Sequence, residues 1–527
     1  MTRLLASAGC ALLLGACASL PPGHDYPRPP LPAPEHAANP ALLKPFAAAA
    51  QAHPGAAGFR LYSVGVDGLL MRLELIGAAQ RSLDLQYYIF HGDESGRLVT
   101  EALAQAAERG VQVRILIDDA ETERGDEQLF ALAGHPNIAI RVFNPWRYRG
   151  HNFVWRGLEW LFNKQRLDYR MHNKLFVADG AVALIGGRNI GDEYFQVDPG
   201  SQYADDDLLV VGAAVPQLAA SFGQYWDSEP AVPAQALLTE TRSGRRTARA
   251  IAHRGTVPQK AASAGFNYQE KLAADQPLAD VLAGTTPLGW AGFELACDSP
   301  DKKAVAEGRR AGRLTFGPVA HAIEHTRSEL TLVNPYLVPT PEELALLQQQ
   351  RAAGRRVRIL TTSLEASKDP LAQAGYMRYR VLLLESGVEL FEIRARPGSR
   401  RGSGESKRLT RSGNYGLHAK LMAFDDDAVF VGSMNLDQRS RWLNTEDGLV
   451  VHSSELAHET LRRFDAMTEP QNAYGVRLDP GPRGRKRLLW STEEDGRAVT
   501  YDREPARSLW ERTEVQVLTW FVPESEL

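Results

Sequence analysis

A histidine, a lysine, an aspartate, a glycine and an asparagine recur in one spaced pattern at two places, which limits the fold to two related halves. The first copy reads Met171-His172-Asn173-Lys174-Leu175-Phe176-Val177-Ala178-Asp179 and continues to Gly186-Gly187-Arg188-Asn189. The second reads Leu417-His418-Ala419-Lys420-Leu421-Met422-Ala423-Phe424-Asp425 and continues to Gly432-Ser433-Met434-Asn435. His418 lies 246 positions after His172, and every internal spacing agrees. A second unit, Gly-Val-Gln-Val-Arg-Ile-Leu at 110–116, returns as Gly-Arg-Arg-Val-Arg-Ile-Leu at 354–360, so the register persists through each half. Strand patterns over 83–90, 111–117, 138–143, 330–333 and 357–360 alternate with helix patterns that stop at Gly110 and Gly354. Such alternation indicates α/β lobes. Two of them, facing across a pseudo-two-fold axis, would bring both motifs to one cleft.

The spacing also predicts local geometry. Residues i and i+2 of a strand share a face, so His172 projects with Lys174 and His418 with Lys420. Asp179-Gly180 has the composition of a two-residue hairpin turn, and the run 425–427 occupies the same place in the second copy. The glycines that follow let the backbone turn closely and return Asn189 and Asn435 beside each His-Lys pair. Two histidines, two lysines and two asparagines around one pocket suit a phosphodiester. Lysine charge and asparagine amides can hold the non-bridging oxygens and stabilise developing charge. One imidazole can attack phosphorus while the other protonates the leaving alkoxide, after which the roles reverse. This chemistry calls for no metal and no cofactor, since the lysines supply the positive charge. No Cys or His-Glu cluster accompanies either histidine.

The constellation resembles the phospholipase D superfamily, with its His-x-Lys-x4-Asp followed by Gly-Gly/Ser-x-Asn. Ser82-Leu83-Asp84-Leu85-Gln86-Tyr87-Tyr88-Ile89 and Gly187-Arg188-Asn189-Ile190-Gly191-Asp192-Glu193-Tyr194-Phe195 resemble its cardiolipin synthase branch. Glu504-Pro505-Ala506-Arg507-Ser508, with Arg512, resembles the C type of that branch. The resemblance implies two phospholipase D-like lobes, each a mixed β-sheet flanked by helices, sharing one active-site cleft within a single chain. It implies catalytic His172, Lys174, His418 and Lys420, with His172 the nucleophile and His418 the general acid. Asp179 and Asp425 belong to the same signature, although turn chemistry explains an aspartate there and makes them positioning residues. Asn189 and Asn435 would bind phosphate. In this family each histidine leans on an acidic residue downstream of its motif, here Asp205 for the first and Glu446 for the second. The implied activity is a phosphatidyltransferase that carries a phosphatidyl group to phosphatidylglycerol through a phosphohistidine. The same residues would serve a phospholipase D that transfers to water, or a nuclease of the superfamily.

The N-terminus reads as an export signal over 1–16: Arg3, an apolar stretch at 4–14 too short to span a bilayer, then Leu14-Gly15-Ala16-Cys17. That ending resembles a bacterial lipobox, which implies lipidation of Cys17 and an enzyme held at the envelope membrane, facing the periplasm. Residues 17–58 read as a Pro/Ala-rich tether. Only Cys297 then remains as a thiol, so no intramolecular disulfide is available. A net charge of −4 lacks the basic footprint of a general nuclease, so phospholipids are the expected partners and nucleic acid is not.

The expected divisions are a first lobe at 59–235, a connection at 236–312 with Arg242, Arg245, Arg246 and Arg249, a second lobe at 313–470 and an extension at 471–527. Residues 394–411, rich in Gly, Ser and Arg, read as a loop before the second motif. Before the first motif, residues 149–166 mix Phe153, Trp155, Leu158, Trp160, Leu161 and Phe162 with cations. This composition fits either a membrane interface beside the cleft or core packing.

Overall fold

The structure is a computed structural model that describes residues 40–120, 126–148, 153–197, 200–238, 274–396, 414–480 and 486–521. The export signal, Cys17, the four arginines of the connection and most of the 394–411 loop lie outside the described residues. The apolar runs around the motifs, rich in Val, Ile, Leu and Phe, form strands buried on both faces. Eighteen strands join into one continuous sheet whose order is close to a palindrome.

In the first lobe the order is Ala231–Pro233, Ile138–Phe143, Gln112–Asp118, Ser82–Tyr87, Leu175–Ala178, Val182–Gly186, Asp207–Gly212 and Ala57–Tyr62. The second lobe reads in mirror order from the seam: Gly289–Leu295, Gly448–His452, Ala428–Gly432, Leu421–Phe424, Glu329–Val333, Arg356–Thr362, Glu389–Ile393 and Ala473–Pro480. A further antiparallel pair, Lys486–Glu494 and Arg497–Tyr501, extends the outer edge. At the seam, Ala57, Gly58 and Phe59 pair antiparallel with Ala291, Trp290 and Gly289. Equivalent strands running antiparallel are what a two-fold axis between them produces, so the two-lobe α/β architecture holds.

The packing follows the same symmetry. The core of the first lobe's outer face includes Leu69, Leu75, Leu103 and Ile115, and that of the second includes Leu332, Leu347, Ile359 and Leu383. Between the lobes, one shared core takes Leu218, Phe222 and Trp226 from the helix Ala214–Trp226. The helix Ser454–Thr468 adds Leu456, Phe464 and Met467. Burial of this area is non-directional and strong, so the lobes cannot separate without exposing apolar surface of both.

Three expected boundaries move. The strand Gly289–Leu295, placed in the connection by sequence, is the second lobe's counterpart of Ala57–Tyr62 and belongs to its sheet. Ala473–Pro480, placed in the extension, pairs with Glu389–Ile393 and is likewise part of that sheet. The tether is shorter than expected, because Pro40–Leu43, the 3-10 turn Lys44–Phe46 and Ala47–Ala52 are helical, and Leu42 and Phe46 are buried in the first lobe's core. Local pattern could not reveal these assignments, since each depends on a partner strand or core distant in sequence. Among the described residues, no helix is long and apolar enough to cross a membrane.

Candidate active site

Each motif begins not in a strand but on the extended residues just before one. His172 and Lys174 precede Leu175–Ala178, and His418 and Lys420 precede Leu421–Phe424. The opposite lobe holds these approaches by backbone pairing. The His172 amide donates to the Thr445 carbonyl (2.9 Å) and the Thr445 amide to the Arg170 carbonyl (2.8 Å). In the pseudo-symmetric place Asn414–Leu417 runs parallel to Ser201–Ala204, and the His418 and Ala419 amides both donate to the Ala204 carbonyl.

That exchange carries the carboxylates with it. His172 Nδ1 lies 2.9 Å from Glu446 Oε2, and His418 Nδ1 lies 2.6 Å from Asp205 Oδ2. The expectation that each acid serves the histidine of its own motif is therefore corrected: Asp205 serves His418, and Glu446 serves His172. The strand pairing across the seam delivers each acid to the other half. A carboxylate on Nδ1 fixes the tautomer and leaves Nε2 as the reactive nitrogen.

The two sets form one site. The charge of Lys420 acts on His172, and that of Lys174 acts on His418. Lys174 Nζ donates to the His172 carbonyl at 2.5 Å. Lys420 Nζ donates to the His418 carbonyl at the same distance and lies 3.0 and 3.2 Å from the two ring nitrogens of His418. Tyr88 meets the His172 ring edge-on at 4.9 Å, while Tyr194 and Tyr203 stand 5.1 and 5.3 Å from His418. Asn189 Oδ1 accepts from the Ile89 amide, and the Asn189 Nδ2 and Asn435 Oδ1 atoms make no regular hydrogen bond.

Burial sets the protonation states. It holds His172 down to about 4, against the opposing pull of Glu446, and pushes His418 well below its usual range, with both lysines adding to the effect. Lys420 is lowered to about 7 by burial, despite Asp205, and Lys174 is lowered for the same reason. The acids differ. Burial alone would raise both, and it pushes Asp205 to about 6. Glu446 stays below the usual carboxylate range because His172, Lys174 and the Ser433 hydroxyl overcome burial.

Asp179 and Asp425, grouped with the catalytic set by the signature, lie at the far ends of the motif strands, roughly 23 Å along the chain from the histidines. Asp179 accepts from the amides of Gln80, Arg81 and Ser82 (2.7–2.8 Å), and Asp425 from those of Arg327, Ser328 and Glu329 (2.7–3.0 Å). Both adopt positive φ, 51° and 55°. Each caps the start of the neighbouring antiparallel strand, Ser82–Tyr87 or Glu329–Val333, too far away to touch a reacting atom. Their place in the catalytic set is corrected to a structural one, as their turn composition allowed.

Several residues escaped the sequence reading. Ser433 Oγ donates to Glu446 at 2.5 Å, and Ser440 Oγ does so at 2.7 Å. The Lys174 amide donates to the Asp447 carboxylate at 3.1 Å. Arg188, wholly buried, donates to the carbonyls of Tyr62, Ser63 and Asp205 and to the Asp207 carboxylate, which Arg72 also grips. A signal for it existed: the repeat places apolar Met434 opposite Arg188, and Gly448 opposite Asp207. An arginine and an aspartate that arise together in one half only are a pair. Gly187 has its own reason. A Cβ there would lie 2.0 Å from Asp205 Oδ1, so only hydrogen leaves the carboxylate its place.

Among the described residues two clusters could hold a cation, His91 with Asp93 and Glu193, and the exposed His321, Glu324 and His325. Neither contains a motif residue.

Two phospholipase D-like halves around one two-histidine cleft define the class of protein. A profile described as cardiolipin synthase, PLD-like domain, matches residues 73–226 and 319–468. The chain is 35% identical over 471 residues to cardiolipin synthase C of Escherichia coli (strain K12), covering 88% of this chain and 95% of that protein. It is 24% identical over 401 residues to the major cardiolipin synthase of Bacillus subtilis (strain 168), covering 76% of this chain and 66% of that one. The crystal structure of phosphatidylserine synthase from Haemophilus influenzae Rd KW20 superposes with a TM-score of 0.52 at 13% identity, covering 81% of this chain and 91% of that chain, a likeness of fold. The chain belongs to the cardiolipin synthase family of phospholipase D-like proteins.

Gly187→Ala should displace Asp205 and cut turnover by about 10²-fold, the scale of a 1 Å misplacement. Ser433→Ala should cost about tenfold, because Glu446 keeps its bonds from Ser440 and His172. Steady-state kinetics of the two variants checks the order. The lysines set a pH dependence: burial depresses both, so the charge of Lys420 is lost as pH rises through about 7 and that of Lys174 through about 8. A dialkyl phosphate, which keeps one charge throughout, should bind progressively more weakly between pH 6 and 9, with proton uptake in calorimetry. A Kd that stays flat over that range contradicts the assignment.

Proposed function

We propose that this protein transfers a phosphatidyl group from one phospholipid to the primary hydroxyl of phosphatidylglycerol, giving cardiolipin. One observation carries the reading: two imidazoles share a cleft with two buried lysines, and each Nδ1 is held by a carboxylate, leaving two Nε2 atoms for one phosphodiester. His172 Nε2 attacks phosphorus, the bond to the head-group oxygen breaks, and His418 Nε2 gives its proton to that oxygen. His418 then takes the proton from the incoming glycerol hydroxyl, whose oxygen displaces His172. The bound phosphodiester offsets the lysine charge that depresses His418, so the general acid gains its proton as substrate enters. Lys174, Lys420, Asn189 and Asn435 hold the non-bridging oxygens.

The difference between the two acids supports His172 as the nucleophile. A phosphorylated imidazole is cationic, and Glu446, which stays ionised, stabilises that charge better than Asp205 does. The expected lipobox supports a place at the cell envelope, with lipid on Cys17 and the domain facing the periplasm.

His172→Ala and His418→Ala should each lower turnover by about 10⁴-fold or more, without additivity in the double variant. Phosphatidyl-enzyme should accumulate in His418→Ala and not in His172→Ala; the reverse would exchange the roles. Mass spectrometry of products from mixed phosphatidylglycerol vesicles should find cardiolipin, whereas phosphatidic acid alone would mean that water is the acceptor. The N-terminal peptide should carry acyl chains on Cys17, and Cys17→Ser should abolish them; an unmodified wild-type peptide removes the anchor from the proposal.

A further inference from the structure

Two amphipathic helices beside the cleft carry apolar faces that no other described residue covers. On the first lobe, the helix Phe153–Leu167 lies between the strand Ile138–Phe143 and the first motif. Its exposed residues Val154, Trp155, Leu158, Leu161 and Phe162 recur at i, i+1, i+4, i+7 and i+8, one stripe of a helix. The opposite face is tied down: Glu159 accepts from the amides of Arg147 and Tyr148, and Trp160 Nε1 donates to Asp168 at 2.8 Å. The Asp168 carbonyl in turn accepts from Arg439 of the second lobe, and His172 follows four residues later.

On the second lobe, Leu509–Phe521 packs Val515 and Leu518 against Leu364 and Met377, yet exposes Leu509, Trp510, Val517 and Trp520. Trp510, Val517 and Trp520 share the side turned away from Val515. This helix is docked beside the cleft. Arg507 donates to the Ser367 carbonyl at 2.8 Å, and the next residue, Lys368, stands 4.2 Å over the ring of Tyr203, which flanks His418. Trp510 is among the most exposed large apolar residues described, at 76%, and Trp520 stands at 81%.

We propose that these two helices are a paired docking surface for a phospholipid bilayer, one on each rim of the cleft, which seats its mouth on the membrane. The proposal rests on the reading of the substrate as a membrane lipid. Three observations favour lipid over a protein partner. The stripes border the same cleft from both lobes, although the helices are unrelated in the repeat. Tryptophan, the side chain that partitions to the interface of a bilayer, occurs on both. The first helix carries Arg156, Lys164 and Arg166 against the single acid Glu159; they pack on Trp146, on Trp160 and against Asn144 and Pro145, so they favour anionic head groups through their net charge rather than by contact. A lipid anchor on Cys17 would hold the chain near the bilayer without orienting it, and the rim helices supply the orientation.

The test uses the full chain reconstituted in phosphatidylglycerol–phosphatidylethanolamine vesicles containing brominated acyl chains. Quenching of tryptophan fluorescence should fall in Trp155→Tyr, Trp510→Tyr and Trp520→Tyr, because each removes an emitter in contact with lipid. Leu161→Asp with Phe162→Asp should lower turnover of vesicle lipid by about tenfold or more, the scale of withdrawing one large apolar side chain. Turnover of a dispersed short-chain phosphatidylglycerol should stay within about twofold of wild type, which also reports that the variant folds. Quenching that is the same with and without the three tryptophans overturns the proposal and assigns the stripes to a protein partner. Quenching from these tryptophans in a wild-type protein that turns over no lipid keeps the docking surface and overturns the activity instead.

Discussion

The site depends on two carboxylate–imidazole bonds that cross between the lobes. Each lobe contributes a histidine that it cannot orient and an acid that it does not use. The bonds are 2.9 and 2.6 Å long and lie where side-chain exposure is 10% or less, so each carboxylate acts in a poorly solvated setting where its field is strong. Neither half-site can form alone. The shared hydrophobic core and the short antiparallel seam serve that requirement, because they bring the backbone at 204 beside the second motif and the backbone at 445 beside the first.

The buried cations impose the complementary constraint. Lys174 and Lys420 are almost wholly buried, and burial lowers their affinity for protons even though carboxylates answer both. A phosphodiester monoanion adds an opposite charge that favours their protonated forms. The site is therefore preorganised for the charge of its substrate before the substrate arrives, which is where electrostatic stabilisation is most effective. Tyr88 walls the His172 ring, Tyr194 and Tyr203 wall the His418 ring, and both imidazoles are buried.

Duplication sets up this arrangement, and departures from it make the two halves chemically different. Ser433 supports Glu446 where Gly187 only makes room for Asp205, and the Arg188–Asp207 pair has Met434 and Gly448 as its counterparts. The Ser433 bond helps to hold Glu446 below the usual carboxylate range while burial raises Asp205, so a nearly symmetric cleft is electrostatically asymmetric.

Much of this was legible in the sequence. The repeat named the histidines, lysines and asparagines, and the alternation of strands with glycine-stopped helices gave the α/β lobes. Asp205 and Glu446 could be picked out because each precedes an apolar run at an equivalent place, and the turn composition of Asp179 and Asp425 marked them as structural. These features are local, and local features survive in a one-dimensional pattern. Which acid faces which histidine was not legible, since it depends on strand pairing across a seam between residues more than 200 positions apart. The same holds for Gly289–Leu295 and Ala473–Pro480, whose lobe is decided by a hydrogen-bonded partner rather than by their own residues. The aromatic stripe at 153–167 could have been core or surface by composition alone. Only the packing of Glu159 and Trp160 on one side turned Trp155, Leu161 and Phe162 outward, because the burial of an amphipathic helix is settled by what lies against it.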